Sequence, residues 1–101
     1  MMRFGLKDET IQKIISVFYC FSEIEKVILY GSRAKGNYKN GSDIDITLKG
    51  EGLNLSILNK IESKLDDLFL PYSFDISIYH QISNKELLEH IERVGIVIAE
   101  K

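Results

Sequence analysis

Two aspartates stand one residue apart at the start of a run that alternates polar and apolar side chains, Asp43-Ile44-Asp45-Ile46-Thr47-Leu48-Lys49. In a β-strand, residues i and i+2 point to the same face, so Asp43 and Asp45 are neighbours while the apolar residues point to the opposite face. The run therefore predicts a strand over residues 43 to 49 with one buried face. Two ionised carboxylates about 5 Å apart repel each other by roughly 3 kcal/mol at an effective dielectric constant of about 20. A divalent cation reverses that repulsion, which makes the pair a candidate metal site.

A glycine–serine turn precedes the aspartates. Residues 26 to 30 form a short apolar run rich in β-formers, which predicts a buried strand that ends at Gly31. The Gly31-Ser32 turn can hold phosphate, and Arg33, Lys35 and Lys39 form a basic cluster beside it. The net charge of -2 argues against duplex nucleic acid as a general partner, so a nucleotide matches this small patch better. An ordinary exposed loop is the alternative for the three basic residues.

Helix signals occur at three further places. Asp8 is a candidate N-cap for a helix over residues 9 to 21. Asn54 is a candidate cap for a second helix, which is expected to end near Leu70-Pro71 because proline disfavours helix at the residue before it. The spacing of Ser83 and Glu86 is that of a capping box, and the helix that it predicts can end at Gly95.

Two more strands complete the pattern. Residues 73 to 79 alternate in polarity, and Asp75 adds a third carboxylate on the polar face. Residues 96 to 99 predict a short edge strand. We expect His80 and His90 to be surface or boundary residues, since neither has a second histidine at metal-ligand spacing.

The chain has 101 residues, which is enough for one small domain with one core, so we expect a single domain over residues 1–101. Hydrophobic residues make up 45% and charged residues 28%, the usual balance for a soluble globular protein. The single cysteine, Cys20, excludes an internal disulfide and suits a reducing compartment. No apolar run approaches the ~18 residues of a membrane span. We therefore expect a cytoplasmic location and no membrane partner.

Three signatures occur together in one order: Gly31-Ser32, Asp43-Ile44-Asp45 and Pro71-x-x-Phe74-Asp75-Ile76. In identity, order and spacing they resemble those of the minimal nucleotidyltransferases, the smallest members of the DNA polymerase β-like superfamily. The resemblance covers nearly the whole chain. It implies an α/β fold with a small mixed β-sheet packed against helices, and a single nucleotidyltransferase domain.

The resemblance also implies a role for each carboxylate. Asp43 and Asp45 would hold two magnesium ions, because hard Mg²⁺ prefers carboxylate and phosphate oxygens. Asp75 would complete the acceptor-side metal site and help to deprotonate the acceptor hydroxyl. The reaction would be an in-line transfer of a nucleoside monophosphate, with AMP from ATP as the expected case.

The same resemblance implies that the Gly31-Ser32 turn binds the terminal phosphates of ATP. The two backbone amides and the Ser32 hydroxyl would bind them, because glycine lets the backbone approach closely. Arg33 and Lys35 are candidates for neutralising the triphosphate charge.

A partner protein is the third implication. Minimal nucleotidyltransferases are commonly paired with a HEPN-domain RNase toxin in prokaryotic toxin–antitoxin systems. The resemblance therefore implies an antitoxin that forms a hetero-oligomer with the toxin and transfers AMP to a toxin tyrosine. A chain of this length leaves no room for a separate acceptor domain, which also points to another chain. Tyr38 and Tyr72 are candidates for contact with it.

Two alternatives belong to other functional classes. A non-catalytic binding module of the same fold would neutralise its partner by steric contact, although a pure binder has no physical need to keep three like charges. A metal-dependent glycosyltransferase with an Asp-x-Asp motif fits poorly, because such enzymes need a much larger fold for the sugar donor.

Overall fold

The computed structural model describes residues 2–101. The strands are Met2–Arg3 (β1), Leu6–Lys7 (β2), Lys26–Tyr30 (β3), Ile44–Lys49 (β4), Phe74–Ile78 (β5) and Ile96–Glu100 (β6). The helices are Asp8–Tyr19 (α1), Gly31–Lys35 (α2), Leu55–Asp66 (α3) and Lys85–Val94 (α4), and a 3-10 turn covers Tyr79–Gln81. Within the described residues, no helix has the length and apolar character that crossing a bilayer requires.

Four of the strands form one mixed sheet in the order β5-β4-β3-β6, and β1 and β2 form a separate hairpin. β3 pairs antiparallel with β4 and with β6, whereas β4 and β5 run parallel. The predicted α/β fold with a small mixed sheet packed against helices is confirmed. The C-terminal strand lies at an edge of this sheet, as predicted.

The two faces of the sheet are covered by different helices. Ile44, Ile46 and Leu48 of β4 are almost fully buried, in one core cluster with side chains of α1 and α3. On the opposite face, Ile28 and Tyr30 of β3 form a smaller cluster with Ile91 of α4. α4 therefore covers the β3 side of the second face. The aspartates on the β4–β5 side of that face stay accessible.

The first two long helices have ends that differ from the prediction. Asp8 is the first residue of α1 rather than its cap, and the N-cap, Lys7, makes no side-chain hydrogen bond. α1 ends at Tyr19, two residues earlier than predicted. α3 is capped by Asn54 as predicted, since Asn54 Oδ1 accepts from the Ile57 amide at 2.9 Å. It ends at Asp66 rather than near Leu70, because the chain tightens into a turn before Pro71.

The cap of α4 is shifted by one residue from the predicted capping box. Asn84, not Ser83, is the N-cap, and its side-chain oxygen accepts a hydrogen bond from the Leu87 amide at 3.1 Å. Asparagine and serine are similarly good caps, so local preference alone does not choose between neighbours. Gly95 does follow the end of α4, as predicted. A Cβ there would collide with the Ile91 carbonyl oxygen and the Ile28 side chain.

Candidate active site

The candidate site lies at the end of the sheet where β3 finishes and β4 and β5 begin. Asp45 is the register partner of Tyr30 on one side and of Asp75 on the other. Register partners on neighbouring strands share a face, so Asp45 and Asp75 lie side by side. Asp43 is exposed and directly precedes β4, which begins at Ile44 rather than at the predicted residue 43. The fold thus brings the three predicted carboxylates to one end of the sheet.

The electrostatics of the site follow from this crowding. Burial raises the pKa of Asp45, and the negative charges of Asp75 and Asp43 raise it further. Burial is also the main reason why the pKa of Tyr30 is raised, with Asp75 and Asp45 adding to it. Nearby like charges disfavour the ionised form of an acid, and the electrostatic effects of His90 and Arg33 offset them only in part at Asp45. The site is therefore an unneutralised concentration of negative charge.

The carboxylates suit a magnesium ion that is shared with a substrate. No three His, Cys, Asp or Glu side chains among residues 2–101 converge into a ready-made metal cage. Magnesium does not need one, because it is usually held by one or two carboxylates together with substrate phosphates and water. The half-buried Asp45 and the exposed Asp75 offer such a pair of hard oxygen ligands on one open face.

A groove opens beside Asp75. It has a volume of about 390 Å³ and runs between α3 and the start of β5, lined by Glu62, Leu65, Asp66, Tyr72, Ser73, Phe74, Asp75 and Ile76. A somewhat larger cavity of about 440 Å³ lies at the opposite end of the sheet, near Lys49 and Tyr79. That cavity lies away from both the aspartates and the Gly31-Ser32 turn. Its position beside Asp75, rather than its size, therefore makes this groove the candidate substrate space.

The Gly31-Ser32 turn starts α2 directly at the end of β3. Gly31 has φ +76°, a left-handed conformation that favours glycine. A Cβ at this position would also collide with the Asp45 carboxylate. Backbone conformation and close approach thus both require glycine here, and they place this turn against the carboxylates.

The Gly31 amide already has a partner. It donates a hydrogen bond to Nε2 of His90 in α4 at 3.1 Å. The His90 ring also contacts the edge of Tyr30, with ring centroids 6.0 Å apart and planes at 79°. His90 is half-buried, so the boundary position expected for it is confirmed, whereas His80 is exposed.

Arg33 has a different role from the one predicted. Its side chain is 2% exposed, and its guanidinium donates two hydrogen bonds to the Ser42 carbonyl and one to the Phe4 carbonyl. The rings of Tyr38 and Tyr72 lie 5.5 and 5.1 Å from the guanidinium carbon. Because the Arg33 side chain is buried and its hydrogen bonds are made to these two carbonyls, it is not open to direct contact with a triphosphate in this structure. The prediction of phosphate contact by Arg33 is therefore wrong.

The remaining predicted contacts differ in accessibility. Lys35, at the end of α2, and Lys39 are exposed, so Lys35 stays available to a phosphate. Tyr38 is 38% exposed, whereas Tyr72 is half-buried against the core. Tyr72 packs against Arg33 and is less exposed than expected, but it also lines the groove beside Asp75, so it stays a candidate for partner contact.

Sequence reasoning missed the part that His90 and Tyr30 play at the site. His90 lies 59 residues from Gly31 in the chain, so no local pattern links the two. Tyr30 carried a weak signal, because it is the last residue of a strand that runs directly into the Gly31-Ser32 turn.

The chain is similar to a named relative in sequence and to several solved structures in fold. A Methanocaldococcus jannaschii protein named "Putative protein adenylyltransferase MJ0141" is 27% identical over 84 residues, which covers 75% of this chain and 80% of the relative. A solved toxin–antitoxin with AMP-PNP superposes with a TM-score of 0.74 at 19% identity, over 90% of this chain and 73% of the other. A tri-AMPylated Shewanella oneidensis HEPN toxin in complex with an MNT antitoxin gives a TM-score of 0.68 at 17% identity, over 92% and 71% of the two chains. These two structures share the fold.

The family model described as "Polymerase beta, Nucleotidyltransferase" matches residues 12–101. That range contains the Gly31-Ser32 turn, both aspartates of the Asp-x-Asp motif and Asp75. The resemblance inferred from the three signatures is thereby confirmed: the chain belongs to the polymerase β nucleotidyltransferase family.

Proposed function

We propose that this chain transfers AMP from ATP to a hydroxyl of a partner protein, with magnesium held by Asp43, Asp45 and Asp75. The observation that carries the proposal is the side-by-side placement of Asp45 and Asp75 against the glycine of the Gly31-Ser32 turn. Membership of the nucleotidyltransferase family supports the reaction class. The name of the Methanocaldococcus relative supports a protein acceptor and an adenylyl group.

The proposed roles of the carboxylates follow from their positions and their exposure. Asp45 is half-buried on β4 between Tyr30 and Asp75, so its position is well fixed for a metal contact. Asp43 is exposed and directly precedes β4, so it is open to a metal ion and to a nucleotide. Magnesium, when bound there, would offset the charge of the phosphates and of the departing pyrophosphate. Its two proposed sites would draw their remaining ligands from phosphate oxygens and water.

Asp75 is exposed and borders the groove, so an acceptor hydroxyl can reach it. The hydroxyl oxygen attacks the α-phosphorus of ATP while the bond from that phosphorus to the pyrophosphate oxygen breaks. The hydroxyl proton passes to the Asp75 carboxylate. The backbone of Gly31 and Ser32 and the exposed Lys35 would bind the terminal phosphates on the opposite side.

We further propose that the partner is a HEPN-domain toxin and that AMP transfer neutralises it. The support is the shared fold with MNT antitoxins that were solved in complex with HEPN toxins. In one such complex the toxin is tri-AMPylated, so a domain of this fold is found beside an AMP-modified partner. The resulting assembly would be a hetero-oligomer of the two chains.

The deciding experiment measures the intact mass of the proposed partner, taken as the protein that the neighbouring gene encodes. The partner is incubated with this chain, ATP and magnesium and is then purified away. We expect its mass to increase by one or more AMP groups and its RNase activity to stay low after separation. An unmodified partner that regains its activity would instead identify a steric binding module.

Asp75→Asn is the matched variant for this test, because it keeps the side-chain shape and removes the proton acceptor. We expect the rate of transfer to fall by about a hundredfold or more, since general base and metal contributions of this kind each amount to that factor. Asp67→Asn, at an exposed position beyond the end of α3, serves as the control and should transfer at the parental rate. If Asp75→Asn also transfers at the parental rate, Asp75 has been misassigned.

A further inference from the structure

His90 contacts the glycine turn from an element that the three signatures do not include. Its imidazole projects from α4, and Nε2 accepts the hydrogen bond from the Gly31 amide. Since Nε2 is the acceptor, the ring is bound in the tautomer that carries its proton on Nδ1. The histidine thus occupies one of the two backbone amides that the proposed function assigns to phosphate.

Two contacts hold the imidazole in this position. The Tyr30 ring packs edge-on against it, and Tyr30 is itself buried in the cluster with Ile28 and Ile91. Ile91 is the residue after His90 and anchors α4 on the sheet at 3% exposure. The interaction with Gly31 therefore joins two well-packed elements and is not a chance contact between mobile side chains.

One backbone N–H makes one good hydrogen bond, so His90 and a phosphate oxygen compete for the same donor. We propose that His90 is a positioning residue that holds the Gly31 amide in the nucleotide-free protein and releases it to the phosphate when nucleotide binds. This inference rests on the proposed function, because it requires nucleotide at the Gly31-Ser32 turn.

Replacement of His90 by a phosphate oxygen at the Gly31 amide lowers the affinity for nucleotide, compared with a turn whose amide has no protein partner. The hydrogen bond to His90 must be broken first, and a typical intramolecular hydrogen bond changes an equilibrium by about two- to tenfold. Removing the acceptor removes that cost, because Gly31 is only partly buried and water can take the place of the imidazole in the free protein. The consequence is unusual for a residue at an active site: its loss should tighten nucleotide binding.

Three variants test this prediction with AMP-PNP and magnesium in calorimetry. His90→Phe keeps an aromatic ring against Tyr30 but has no acceptor, and we expect its Kd to be about two- to tenfold lower than that of the parent. His90→Gln carries an amide oxygen that can reach the Gly31 amide, and its Kd should return to within about twofold of the parental value. His80→Phe makes the same substitution at the exposed histidine at the opposite end of the sheet and should leave the Kd unchanged.

Nuclear magnetic resonance gives a readout that loss of general stability would not change. We expect a scalar coupling across the hydrogen bond between the Gly31 amide nitrogen and His90 Nε2 in the free protein, and its disappearance at saturating AMP-PNP and magnesium. A coupling that persists in the saturated complex, or a His90→Phe variant that binds nucleotide no more tightly than the parent, would overturn the role of His90 alone. If the parent binds no nucleotide at all, the proposed function fails together with this inference.

Discussion

Asp45 combines partial burial with two neighbouring negative charges. It is half-buried on a central strand of the sheet, with Asp75 on the neighbouring strand and Asp43 two residues before it. Burial and these two charges raise its pKa, so the ionised form of Asp45 opposes folding. The protein keeps an arrangement that costs stability, which is common where side chains are placed for function.

The raised pKa predicts how Asp45 affects stability as the pH changes. Below the ordinary value of 3.8 the group is protonated in both the folded and the unfolded state, so the cost is absent. As the pH rises towards and through the raised folded-state pKa, the folded state holds the proton more tightly than the unfolded state. Stability therefore falls with pH over this window, and the cost is complete above the folded-state pKa.

We expect Asp45→Asn to be more thermostable than the parent in magnesium-free buffer, with a gain in Tm that is larger at about pH 7 than at about pH 3, below the ordinary pKa of the carboxyl. Thermal unfolding at both pH values measures the difference. The variant should also lose transfer activity. An equal gain at both pH values would show that the asparagine stabilises by packing rather than by removing a charge.

At the scale of the elements, the Arg33 side chain connects three separate segments. It extends from α2 and donates to Phe4, in the turn between β1 and β2, and to Ser42, just before β4. Asp43 follows Ser42 directly, so this guanidinium also fixes the segment that presents the first carboxylate. The aromatic rings of Tyr38 and Tyr72 complete its surroundings.

Arg33→Lys should destabilise the protein by roughly 2–4 kcal/mol, because one ammonium group cannot donate to both carbonyls as the planar guanidinium does. Chemical denaturation measures the change. Lys35→Ala on the same short helix is the control, since its side chain is exposed and its removal should change the free energy of unfolding by no more than about 0.5 kcal/mol. If Arg33→Lys is as stable as the parent, the hydrogen bonds of Arg33 do not hold these segments together.

At the scale of the whole molecule, the site exists only when distant parts of the chain are folded together. The glycine turn follows β3, the carboxylates come from β4 and β5, and His90 comes from α4. The mixed sheet brings them to one end, because antiparallel β3–β4 pairing sets the end of β3 beside the start of β4. Parallel β4–β5 pairing then sets Asp75 beside Asp45.

This concentration of negative charge predicts that the folded protein binds a nucleoside triphosphate only with a divalent metal. Without the cation, the phosphates would face Asp43, Asp45 and Asp75 unscreened. Calorimetry with ATP in magnesium, and again in excess EDTA, measures the effect. Equal affinity in the two conditions would remove the argument for a metal site.

Elements whose signals are local could be predicted from the amino-acid sequence. Strand alternation predicted β4 with Ile44, Ile46 and Leu48 in the core and the aspartates on the other face, because residues i and i+2 share a face whatever surrounds the strand. Asn54 was predicted as a cap for the same reason, since its partner Ile57 lies three residues away. The order and spacing of the three signatures were also sufficient to indicate the family.

Contacts between side chains from distant parts of the chain could not be predicted in this way, because they depend on how the elements pack. Arg33 looked like a phosphate ligand because it lies beside a phosphate-type turn, but burial directs its donors to two carbonyl oxygens. His90 carried no local signal, and the packing of α4 placed it on the Gly31 amide. A buried polar group must find a partner wherever the fold provides one, and that partner depends on how distant segments pack rather than on its neighbours in the sequence.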